Sequence, residues 1–190
     1  PKLIQMIGNV AYTESGMILG QAEQGMKVTL FKINDLDVNN LDVATLNEYY
    51  FKTMHHEFTH ILNQRKPYDT NYDRITESSY VGSDWYHIYD EQALQMGFIS
   101  PYAMDRGSED FAEMLSIFVT NTADTWESYL EAAEPNPNSP YYKAGVDGRA
   151  ILEQKFDIVY KYMKDSWGVD LYELRDVVQR RQGEINTLFN

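Results

Sequence analysis

His56-Glu57-Phe58-Thr59-His60 sets two imidazoles four residues apart, with a glutamate directly after the first. Residues four apart on an α-helix lie one above the other, so His56 and His60 can face one metal ion while Glu57 points at its open side. The chain has no cysteine, so a tetrahedral zinc has to be held by histidine and carboxylate. This is the constellation of a zinc hydrolase. A single histidine on an apolar helix face is usually a satisfied core residue, but that explanation does not extend to three such groups in five residues. His55 points about 100° away from His56 and is expected at the surface or outside the first ring of ligands.

Two histidines leave a third ligand to find. A chain of the HExxHxxGxxH type would carry Gly at 63 and His at 66; this one has Asn63 and Lys66, which excludes that class. The second informative stretch is Gly107-Ser108-Glu109-Asp110-Phe111-Ala112-Glu113. Ser108 suits a helix N-cap, and Glu109 and Asp110 complement the dipole of a first turn. Glu113 sits deeper, in an apolar run where a carboxylate is costly unless paired. Glu109 and Glu113 share one helix face, so Glu109 is expected as the third zinc ligand, leaving a fourth position for water. Glu113 then hydrogen-bonds a ligating imidazole and fixes its tautomer. Glu113, Asp110, Asp84 and His87 remain as alternative ligands.

The first motif needs a helix, expected from about 42 to 64, with Asn40 or Asp42 as its N-cap and an apolar stripe of Leu46, Tyr49, Tyr50, Met54, Phe58, Ile61 and Leu62. Before it, Leu3–Ile7, Gly16–Gly20 and Lys27–Ile33 read as strands of a small antiparallel sheet; in zinc peptidases an edge strand of such a sheet commonly pairs with extended substrate. Asp35, Asp37 and Asn39 resemble a calcium loop, but Asn40 and Leu46 stand where that loop needs Gly and Glu. Residues 65 to 88 read as loop. A short helix from about 89 ends at Gly97, and Phe98–Ala103 reads as an extended or turn segment. After the Glu109 helix come helices over about 122–133, 147–166 and from Asp170 to near Asn186. The expectation is an α+β single domain over 1–190, with sheet and active-site helix in 1–66 and a mainly helical subdomain in 67–190.

The composition sets outer bounds. In 190 residues, 16 Lys and Arg stand against 29 Asp and Glu, a net charge of −13. That argues against nucleic acid or an anionic membrane surface as a partner. No apolar run approaches the roughly 18 residues of a membrane span, and there is no signal peptide. The chain opens at Pro1 and so reads as a trimmed or processed product, in which a missing targeting signal is uninformative.

His-Glu-Phe-Thr-His, followed downstream by Ser100-Pro101-Tyr102 and Glu109-Asp110-Phe111-Ala112-Glu113, resembles the zinc-binding metallopeptidases of Bacteroidetes, the substrate-import-associated zinc metallohydrolase lipoproteins. The resemblance spans most of the chain, including Pro1-Lys2-Leu3-Ile4-Gln5. More distantly, the two motif helices are similar to the anthrax lethal factor catalytic domain, where a tyrosine before the ligating glutamate assists catalysis; Tyr102 holds the matching position. The resemblance implies a zincin-like fold, one zinc ion and a peptidase acting on peptide or protein substrate; the chain is expected to be a monomer. It also implies export to the periplasm or outer membrane, lipid anchoring, and association with an outer-membrane nutrient-import system. The lipidated cysteine such a protein needs is absent here. The expected mechanism has zinc on His56, His60 and Glu109, Glu57 as general base, and Tyr102 donating to the oxyanion. The competing expectation is an accessory protein with a vestigial zinc site that captures glycan or peptide on platforms of Trp85, Trp126 and Trp167.

Overall fold

A computed structural model describes residues 1–187 apart from 15, 38, 40 and 41. Strands β1 (Leu3–Met6), β2 (Ala11–Thr13), β3 (Gly16–Ile18), β4 (Gly20–Glu23) and β5 (Lys27–Leu30) open the chain. β2 and β3 form an antiparallel hairpin, and a second sheet has the order β1-β5-β4. β4 and β5 are antiparallel, joined by a turn in which Gln24 and Gly25 take positive φ. β1, however, lies parallel to β5, with Leu3 opposite Lys27. The sheet is therefore mixed, because the hairpin and β4 act as a crossover that returns β5 in the direction of β1. Val28 and Leu30 of β5 turn inward onto Ile61, forming a small core with Met54 and Ile33 around it.

The first long helix is continuous but not uniform. Segment α1 (Val43–Leu46) leads through a π-helical turn (Asn47–Phe51) into α2 (Lys52–Arg65). Asp42 caps it, its carboxylate accepting from the Thr45 amide; the alternative cap, Asn40, lies outside the described residues. The Tyr50 hydroxyl donates to Lys32 O, and the Asn47 amide donates to Thr120 O, so the π turn is tied on both sides. The expected apolar stripe is only partly buried. Leu46, Ile61 and Leu62 are in the core, but Phe58 is 36% exposed. What α2 buries instead is largely polar: Thr53, His56, Glu57 and Thr59.

Residues 65–88 are not plain loop. They contain α3 (Asn71–Ile75), pinned by the fully buried Tyr72, and 3-10 turns at Glu77–Ser79 and Gly82–His87. Helix α4 (Asp90–Gln95) is closed by Gly97 at positive φ, and a 3-10 turn spans Tyr102–Met104. Helix α5 (Gly107–Thr120) has Arg106 at its N-cap position and so begins two residues earlier than a Ser108 cap would start it. A Cβ on Gly107 would meet the Asp73 carboxylate at 2.1 Å, so close packing of α3 on this end requires glycine there.

Helices α6 (Ala123–Ala132), α7 (Gly148–Trp167) and α8 (Leu171–Glu184) follow, capped by Thr122, Asp147 and Asp170. All of α5 except Ser108 and Glu109 is buried. It runs through the main core, where Phe111, Met114 and Phe118 meet Tyr72, Phe98, Leu152, Phe156 and Leu171. α2 thus lies between the small sheet on one side and α5 with its surrounding helices on the other. Among the described residues, no helix is long and apolar enough to cross a membrane.

Candidate active site

The packing of α2 on α5 brings the two sequence motifs together. Glu109 Oε2 lies 3.0 Å from His56 Nε2 and 3.1 Å from His60 Nε2, and the two Nε2 atoms are 3.0 Å apart. Among the described residues, these three form a cluster able to hold a metal ion. A tetrahedral zinc with bonds of about 2.0–2.1 Å has ligand-to-ligand edges of about 3.3 Å, so the three donor atoms need to part by only a few tenths of an ångström. Two imidazoles and a carboxylate oxygen aimed at one point fit a zinc ion. Without a cation, only protons can satisfy so many converging lone pairs.

Glu113 stands one turn behind Glu109. Its Oε1 accepts from His56 Nδ1 at 2.9 Å, and its Oε2 accepts from the Ser100 hydroxyl at 2.7 Å and the Lys52 ammonium at 3.2 Å. With Nδ1–H committed to Glu113, His56 keeps its Nε2 lone pair for a metal. The carboxylate is 1% exposed yet has three donors, which accounts for its place in an apolar run. Sequence reasoning missed Lys52 and Ser100. Lys52 lies one turn before His56 on the same helix face, a spacing that could have pointed to it; Ser100 carries no local signal. A cavity of about 460 Å³ opens on the Lys52 and Ser100 side of Glu113, where Tyr129 also lines it.

The other candidate ligands lie elsewhere. Asp84 and His87 are exposed in the 3-10 turn and are not among the clustered groups. Asp110, read as a dipole cap, is instead buried and accepts from Lys155 Nζ at 2.6 Å and the Tyr80 hydroxyl at 3.0 Å. His55 is not in the cluster, and burial lowers it to about 4.

Glu57 is 8% exposed and, among the described residues, its carboxylate makes no hydrogen bond. Burial pushes its pKa up, against the pull of His56 and His60. Burial pulls His56 down, but its hydrogen bonds to the Glu109 and Glu113 carboxylates outweigh it and hold the metal-free imidazole at about 9. Against their own burial, both carboxylates are held well below the usual range: Glu113 by Lys52, His56 and Ser100, Glu109 by the two imidazoles. The Tyr102 ring lies 5.7 Å from that of His56 and meets Trp85 edge-on at 5.0 Å. Burial, with the neighbouring Glu109 charge, pushes its hydroxyl well up, so it stays a proton donor at neutral pH. Trp85 is thus a neighbour of Tyr102. Trp126 packs in the core against Phe118 and Phe156, and the Lys66 ammonium covers the Trp167 ring, so the tryptophans form no common platform.

Two histidines and a glutamate from crossing helices, beside a small sheet and ahead of a helical part, define a metallopeptidase-like fold. The chain belongs to the family described as "Putative zinc-binding metallo-peptidase", whose model matches residues 1–172. A crystal structure of a putative zinc-binding metallo-peptidase from Bacteroides caccae is similar to it at 38% identity and a TM-score of 0.74, over 98% of this chain and 67% of that one. No curated protein matches the chain.

Proposed function

We propose that the protein is a zinc-dependent peptidase in which His56, His60 and Glu109 hold one zinc ion and Glu57 is the general base. The observation carrying this reading is the convergence of three donor atoms within 3.1 Å of one another, with a buried Glu57, its carboxylate free of hydrogen bonds among the described residues, carried by the helix of the two histidines. When bound, zinc supplies Lewis acidity, polarising a scissile carbonyl and bringing water ionisation toward neutral pH. Glu57, its pKa raised by burial, takes the proton of the attacking water and hands it to the leaving amine. The Tyr102 hydroxyl donates to the oxyanion, and Glu113 keeps His56 in the ligating tautomer.

Extended substrate would pair with β4, which is an edge of its sheet. The Phe31 amide donates to Leu19 O. Antiparallel alternation from that bond turns the Gly20 and Ala22 backbone groups to the open edge.

The test combines metal analysis with peptide turnover. Zinc is expected at one equivalent in the wild type and in Glu57→Gln, and to be lost in Glu109→Ala. Turnover should fall by about 10²–10⁴-fold in Glu57→Gln and by about 10²–10³-fold in Tyr102→Phe. A protein that takes up no zinc when it is supplied, or a Glu109→Ala variant that binds it as the wild type does, defeats the reading.

A further inference from the structure

Gly20 has no conformational reason to be glycine. It lies inside β4, pairs in regular register with Leu30, and is absent from the positive-φ positions. Glycine weakens a strand, which has more freedom to lose and no side chain to pack, so something else must favour it here. Leu30 and Val28 face α2, and Gly20 and Ala22, their partners in register, face the same way. A Cβ at position 20 would stand 2.5 Å from Glu57 Cγ, 2.8 Å from Glu57 Oε1 and 2.7 Å from Thr53 Cγ2. The Glu57 side chain therefore lies flat against the bare backbone of Gly20. No hydrogen bond holds its carboxylate among the described residues, so the packing of its stem against Gly20 and Thr53 bears on its direction.

We propose that Gly20 is a positioning residue for Glu57: the missing side chain lets the Glu57 side chain lie against the α2-facing side of β4, and any larger residue turns it out of place. This rests on the peptidase reading for what Glu57 does, but not for where it lies. Displacing a catalytic group by about 1 Å can cost about 10²-fold in rate. The three atoms nearest that Cβ belong to Glu57 and Thr53 and not to the proposed ligands, so metal binding should be spared.

The test compares Gly20→Ala, Glu57→Gln and the double variant, each loaded with zinc or with cobalt. Gly20→Ala should keep one equivalent of metal, lose about 10- to 100-fold in kcat and keep KM within about twofold. The double variant should be no slower than Glu57→Gln alone. The visible absorption of the cobalt form, and the pH at which it changes, should shift in Gly20→Ala in the same direction as in Glu57→Gln. Wild-type turnover in Gly20→Ala, or losses that multiply in full in the double variant, overturn the assignment.

If the zinc-loaded wild type cleaves no peptide, the peptidase reading fails, and the cobalt spectrum judges Gly20 alone. A Gly20→Ala spectrum indistinguishable from wild type then overturns it. Should Gly20→Ala lower the melting temperature, Gly20→Ala/Thr53→Ser removes the methyl on the Thr53 side without touching Glu57, and the same outcomes decide.

Discussion

Changing Glu113 to Gln would leave the Lys52 ammonium without its partner and offer His56 Nδ1–H a neutral acceptor. Loss of such an outer partner typically weakens a metal site by about 10–100-fold, and that is the drop expected in zinc affinity by chelator competition; unchanged affinity would remove Glu113 from the site.

The same contacts make zinc uptake compete with a proton. In the metal-free protein His56 is held at about 9 by Glu109 and Glu113. A base whose folded pKa lies above its ordinary 6.5 contributes stability that is complete below about 6.5 and lost as pH rises through about 9. Zinc must displace that proton, so apparent zinc affinity should climb from neutral pH to about 9. Removing Glu113 should shift the climb to lower pH. A flat profile would contradict the contacts.

The motif residues were legible because helical spacing is local: His56, His60, Glu109 and Glu113 each follow from a four-residue step. Ser100, Trp85 and Gly20 were not. Their roles depend on partners that only the fold brings close, as when residue 20 of a strand meets residue 57 of a helix.

At the scale of elements, the expected apolar stripe breaks at Phe58, which lies outside the face of α2 that buries Thr53, His56, Glu57 and Ile61, and it breaks again at the π turn. The extra residue in that turn offsets the faces of α1 and α2, so the apolar positions ahead of it and behind it do not form one seam. Nothing in Asn47–Phe51 marks the change, since it is held by long-range partners, Lys32 and Thr120. The parallel placement of β1 was equally hidden, because periodicity describes faces and not pairing partners.

Another long-range tie joins α5 to α7. Lys155 and Asp110 are both 0% exposed, and Lys155 also donates to Gly97 O and covers the Phe98 ring. Burial pushes Lys155 down and Asp110 up, each opposed by the other's charge. Lys155→Met strands a buried carboxylate and should cost about 3–5 kcal/mol in denaturant unfolding. Lys155→Met/Asp110→Asn should recover a large part of that loss. A single variant within about 0.5 kcal/mol of wild type would contradict the pair.

For the whole molecule, the order of sheet, motif helix and helical part followed from composition and periodicity, and α6, α7 and α8 were close to their expected positions because Thr122, Asp147, Gly168 and Asp170 are local signals. Which helix would be central was not written locally. α5 is the buried one, and it carries three carboxylates within five residues: Glu109, Asp110 and Glu113. Lys52, His56 and His60 precede α5 in the chain, so the counter-charges for Glu109 and Glu113 are made before the helix that needs them. Lys155 comes 45 residues after Asp110. During synthesis α5 therefore emerges with one carboxylate still lacking its ammonium, and until α7 follows, water is the better environment for that turn. Closing the core waits for the last third of the chain.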